Sequence, residues 1–90
     1  MEFISPIKTR HAEVRQQQRG IPDVAIDLLM RFGVREKAPG GASKVSFDRR
    51  GWKRVLKYFG PWPPNKLGQF RKAQLILNES DVLITIQFQQ

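Results

Sequence analysis

Apolar positions in this chain recur at two spacings. Val82, Ile84, Ile86 and Phe88 alternate with Leu83, Thr85 and Gln87, the period of two that predicts a half-buried strand. Before it, Phe70 to Leu77 reads as a partner strand, and Asn78-Glu79-Ser80-Asp81 reads as the tight turn that joins them. Val34 to Ala38 and Ser43 to Asp48 flank Pro39-Gly40-Gly41, a second hairpin with a glycine-rich turn. Between these strands the spacing changes to that of helices. Val24, Ile26, Leu28, Leu29 and Phe32 give a broad apolar face to a helix that Ile21-Pro22-Asp23 opens and Gly33 closes, with Asp27 and Arg31 as an i, i+4 pair on its wet side. Trp52, Val55, Leu56 and Phe59 form an i, i+3, i+4, i+7 stripe on a helix from Asp48 or Arg49 to Phe59, which Gly60 ends.

Two segments are less patterned. Thr9 suits an N-cap for a helix from Arg10 to Gln18, with Gly20 as its stop. That helix is poor in apolar residues beyond Ala12 and Val14, so it should lie on the surface of the core. Met1 to Lys8, with Phe3, Ile4 and Ile7, is a lead-in that Pro6 limits to an edge. The expected order is α-α-β-β-α-β-β. Hairpins dominate it, so the fold class is α+β: an antiparallel sheet of about four strands with helices packed on one face. Residues 1–90 read as a single domain.

Composition narrows the class. The chain has no cysteine and no apolar run near the ~20 residues that span a bilayer, so a cytoplasmic protein with no membrane partner is expected. One histidine without a Cys/His cluster argues against a metal site, and no cofactor motif is present. The net charge is +8, and its placement carries more meaning than its size. Residues 44–72 hold nine basic side chains and one acidic one, so the whole excess lies in that segment. A localised basic field points to a polyanion, with nucleic acid first. Its centre is the helix from Arg49, where Arg49, Arg50, Lys53, Arg54 and Lys57 surround the apolar stripe without interleaved acids. Phosphate contact by these five, with Lys44 added from the preceding strand, is the reading set against a merely solvated face. The loop from Gly60 to Gly68 contains three prolines, which exclude a helix or central strand. Trp62 between two of them is expected to pack on the core edge, with base stacking as the alternative.

The run His11-Ala12-Glu13-Val14-Arg15-Gln16-Gln17-Gln18-Arg19-Gly20-Ile21 has the form H-A-x-x-R-x-x-x-R-G-I. It resembles the opening of a family of small bacterial and phage proteins known as a domain of unknown function. That family is similar to the RelE and BrnT group of toxin ribonucleases. The hairpin ending near Phe47 and the acidic turn followed by Ile84-Thr85-Ile86 extend the resemblance over most of residues 9–88. It implies a compact α+β fold with a curved antiparallel sheet, RNA as substrate, and an antitoxin as partner, here an acidic one. His11, Arg15 and Arg19 are the positions it carries over. The chain departs from the family in its strongly basic helix and the Pro-rich loop that follows.

Cleavage of RNA without a metal requires a base for the 2′-hydroxyl, cations for the phosphorane and an acid for the leaving oxygen. His11 suits either proton role. Arg15, one helical turn away, suits a bidentate phosphate clamp, with Arg19 or Lys44 adding charge. Tyr58, the only tyrosine, is the candidate weak acid. The structural alternatives are a surface or capping role for His11, and salt bridges from Arg15 and Arg19 to Glu13, Asp23 or Asp27. The expected function is therefore an RNA-binding, toxin-like protein, with metal-free RNA cleavage as its candidate activity. The alternative is a non-catalytic protein that binds nucleic acid or an acidic partner.

Overall fold

The computed structural model describes residues 4–63 and 66–89; Phe3 of the lead-in and Pro64 and Asn65 of the Pro-rich loop lie outside them. The fold is α+β, in the order α1 (Arg10–Gln18), α2 (Asp23–Phe32), β1 (Val34–Lys37), β2 (Ser43–Ser46), α3 (Arg49–Phe59), β3 (Ala73–Leu77) and β4 (Leu83–Phe88). Short 3-10 turns occupy Pro39–Gly41 and Leu67–Phe70. The four strands form one antiparallel sheet in the order β1-β2-β3-β4. Among the described residues no helix is long and apolar enough to cross a membrane.

Register explains which face is buried. Val45 pairs with Leu75 and Leu75 with Ile86, so three apolar side chains line up across β2, β3 and β4. All three are buried, together with Ala73, Leu77 and Leu83. Ala12 of α1 and Ala25, Ile26, Leu28 and Leu29 of α2 supply the other half of the core. Helix α1 packs on β4, while α2 spans β2 and β3 and also meets α3. The residues between the buried ones alternate to the other face of the sheet, where Gln87 Nε2 donates to Gln74 Oε1 at 2.6 Å.

Four details depart from the sequence pattern. The alternation in the last strand breaks, because an irregularity between Ile76 and Leu77 pairs Thr85 with Ile76 but Leu83 with Leu77. The extra residue, Ile84, is only half-buried, and Leu83 turns fully inward. The third strand begins at Ala73, not Phe70, because Leu67 is buried by a turn and the Arg71 side chain folds back to donate to the Phe47 carbonyl at 2.7 Å. Leu56 is 45 % exposed, so the docking stripe of α3 narrows to Trp52, Val55 and Phe59. Asp27 is buried, not on a wet face. The lead-in crosses α2 there: the Ile4 N–H and Arg31 Nε donate to the same Asp27 oxygen at 2.6 and 2.9 Å.

The lead-in also closes the β4 edge. Leu83 N–H donates to the Ile7 carbonyl at 2.7 Å and Thr9 N–H donates to the Leu83 carbonyl at 3.0 Å, a parallel bridge centred on Lys8. Lys8 then reaches Asp23 at 3.1 Å, beside Gln16 at 2.8 Å. The hydrogen bond from Gln16, then that from Lys8 and its charge, hold the Asp23 carboxyl below its usual 3.8. A carboxylate with a lowered folded pKa stabilises the fold above its unfolded pKa, and that contribution disappears as pH falls through the folded value. Asp23→Asn should therefore be slightly less stable than the natural chain at neutral pH. The gap in thermal midpoint should shrink as the pH is taken below 3.8. A gap that is constant with pH would show that this junction does not titrate.

Candidate nucleic-acid interface

Helix α3 starts where β2 ends. Asp48 leaves the sheet extended and accepts the Gly51 N–H at 2.6 Å, which caps the first turn. Trp52 then meets Phe47 edge-to-face at 5.3 Å, and the Arg71 guanidinium lies over the Trp52 ring at 5.7 Å. At the other end Tyr58 stands against Phe32 of α2 at 5.8 Å and against Phe59 at 5.1 Å. Beside Trp52, Gly51 is buried so closely on α2 that an added Cβ would collide with the Phe32 carbonyl oxygen. The helix is thus held on one side by Gly51, Trp52, Val55 and Phe59.

The opposite side is cationic. Arg49, Arg50, Lys53, Arg54 and Lys57 are all exposed, and among the described residues none of the five is in an ion pair. Arg49, Lys53 and Lys57 form one i, i+4 row, and Arg50 and Arg54 form a second. Each such like-charge pair costs about 0.2–0.5 kcal/mol in an isolated helix. Moreover, α3 has no acidic residue in its first turn, so Arg49 and Arg50 sit at the positive end of the helix dipole. For stability alone this is the wrong sign; for holding an anion it is the right one.

Two shallow grooves lie along this cationic face. One, of about 320 Å³, runs past Asp48, Arg49, Arg50 and Lys53. The other, of about 280 Å³, lies between the end of α2 and α3, and brings Arg31 beside Arg50 and Arg54. Arg31 was not among the residues expected here; its i, i+4 pairing with Asp27 concealed that α2 ends beside α3. Gly51 was also unrecognised, although a glycine in the first turn of an otherwise helical run signals a close approach.

The other candidate residues are elsewhere. Lys44 is half-buried on β2, with its register partners Glu36 and Ile76, and alternates away from the core face that Val45 occupies. His11, Arg15 and Arg19 belong to α1 and its C-cap. His11 and Arg19 are exposed and Arg15 is half-buried. Among the described residues no ion pair forms from Arg15 or Arg19 to Glu13, Asp23 or Asp27: Asp23 is held by Lys8 and Gln16, and Asp27 by Arg31. A hollow of about 380 Å³ at the α1–α2 junction is lined by Glu13, Gln16, Gln17, Gly20, Ile21 and Pro22, not by His11, Arg15 or Arg19.

His11 and Tyr58 are not brought together. Thr9 docks the start of α1 on Leu83 and Ile84, where β4 begins. Tyr58 packs on Phe32, at the end of the sheet where β1 begins and β2 stops. Those ends are separated by the length of β4, five residue steps or roughly 17 Å.

Trp62 corrects a further expectation. It does not pack on the core edge but is 84 % exposed. Phe59 and Phe70 already pack against the core on either side of the loop, and Gly60, at φ 61°, ends α3 before it.

No family model, curated protein or solved structure matches this chain.

Proposed function

We propose that this protein binds RNA through the cationic face of α3, as a small toxin-like domain. The observation that carries the reading is the set of five exposed cations, unpaired among the described residues and gathered on one helix whose other side is anchored. Such a face recognises phosphate without reading sequence, so affinity should fall steeply with salt. On a single strand each phosphate contact adds about −0.7 to the slope of log K against log salt, so engagement of all five predicts a slope near −3.5. A titration of RNA binding at stepped salt concentrations tests this. A slope near zero contradicts phosphate contact.

An acidic antitoxin-like segment has the same charge chemistry, and competition by such a segment for the α3 face is part of this reading. A second reading, cleavage of the bound RNA without a metal, is supported by His11 and Arg15 on α1 and Arg19 at its C-cap, which among the described residues are in no ion pair. It uses α1 as a second contact for the strand. The same incubation, scored for RNA length, tests it: the natural chain should shorten the RNA and His11→Ala should leave it intact. Equal cutting by both, or cutting by neither, removes His11 from catalysis.

A further inference from the structure

Trp62 is the most exposed large apolar side chain among the described residues, at 84 %. Its place is not that of a free loop tip. The Trp62 N–H donates to the Phe59 carbonyl at 3.3 Å, which keeps the residue within one turn of the end of α3. Pro61 and Pro63 fix φ on both sides of it. The indole is therefore presented from a stiff mount, next to a helix whose last turn carries Lys57 and whose preceding turn carries Lys53 and Arg54.

An exposed indole ordinarily gains by leaving water, and here the surrounding charge selects what would cover it. An apolar protein pocket does not complement the cations, and acidic side chains alone offer the ring nothing to pack on. An unpaired nucleotide complements both, since it offers a flat π-face for the indole and a phosphate on either side for the cations. A duplex complements only the cations, because its bases are already stacked and exposing one costs unstacking energy.

We propose that the α3 face takes an unpaired RNA strand, with one base stacked on Trp62 and the adjoining phosphates held by Lys57, Arg54 and Lys53. This rests on the α3 reading and adds that the ligand is single-stranded.

The test is a fluorescence titration at low salt with an unstructured RNA of roughly eight nucleotides, within the footprint of small single-strand-binding folds, and with the matching RNA duplex. Trp52, the only other tryptophan, is half-buried under Arg71, so quenching that disappears in Trp62→Phe reports on Trp62. The unpaired strand should quench the natural chain. Trp62→Ala should bind it about tenfold more weakly, and Trp62→Phe should retain most of the affinity, as ring stacking requires. Neither substitution should change duplex binding. The exposure of Trp62 makes folding insensitive to both variants, and far-ultraviolet circular dichroism checks this. If the natural chain binds single and duplex RNA alike and Trp62→Ala changes neither, the stacking site is wrong while the α3 reading stands. If the natural chain binds no RNA at low salt, both fail.

Discussion

Replacing Gly51 by alanine should destabilise the protein by about 1–3 kcal/mol, although alanine is the better helix former by about 1 kcal/mol. The two effects oppose each other, and geometry decides between them. Gly51 is in the first turn of α3, where a methyl group would raise helix propensity. It is also buried against α2, where the same methyl group would collide with the Phe32 carbonyl oxygen. That obstacle is backbone, not a flexible side-chain end, so α2 and α3 must separate to admit it. Gly33, at the end of α2, is confined in the same region. A Cβ there would lie 2.8 Å from Val45 Cγ1 and 3.2 Å from the Ser46 carbonyl. Gly51 thus lets α3 approach α2, and Gly33 lets the end of α2 approach β2.

A control separates this contact from a general penalty. Gly68→Ala introduces a Cβ with nothing within 4 Å, at a glycine without positive φ, and should change stability by less than about 0.5 kcal/mol. Urea midpoints for the three proteins, with unchanged slopes, measure the difference. A Gly51→Ala protein as stable as the natural chain would mean that α2 and α3 are not in close contact. The α2–α3 corner also sets the groove between Arg31, Arg50 and Arg54, so a loosened corner should weaken polyanion binding as well as folding.

What the sequence disclosed follows from which interactions are local. The order of elements was legible because periodicity, caps and turn residues act within a few positions. Thr9, Asp48 and Asn78 each form the local hydrogen bonds their positions suggest: Thr9 Oγ1 accepts from Ala12, Asp48 from Gly51, and Asn78 from Ser80 and Val82. The cationic face of α3 was legible for the same reason, since helical spacing alone sorts its residues into an anchored and an exposed side. The long-range facts were hidden. Nothing near Asp27 in sequence shows that Ile4 will cross over it. Nothing near Trp52 shows that Arg71 will cover its ring. The β4 irregularity defeats a perfect alternation because the partner strand, not β4 itself, sets which residues face inward. The candidate catalytic set was least legible of all. His11 and Tyr58 were grouped by chemical type, and only the docking of α1 on the start of β4 shows how far apart the fold carries them.

Reversing Arg50 and Arg54 together, as Arg50→Glu and Arg54→Glu, should weaken RNA binding at low salt by about 100-fold or more. Each reversal removes a phosphate contact and sets a carboxylate against the strand, so the two change the local charge by four units. Loss of two contacts alone should lower the magnitude of the salt slope by about 1.4. Both side chains are exposed, and among the described residues neither is in an ion pair, so the fold should not suffer. Stability should be unchanged or slightly higher, because Arg50 opposes the dipole of its own helix and repels Lys53. A drop in affinity with an unchanged or higher urea midpoint therefore separates a binding role from a structural one.

The same pair of substitutions on α1, Arg15→Glu with Arg19→Glu, changes the net charge equally and provides the comparison. The decisive measurement is the RNA affinity of the two double variants side by side, at one low salt concentration. The α3 interface predicts a far larger loss from Arg50→Glu/Arg54→Glu than from Arg15→Glu/Arg19→Glu. Equal losses would reduce the binding to net charge, and a larger loss from the α1 pair would place the interface on the other helix.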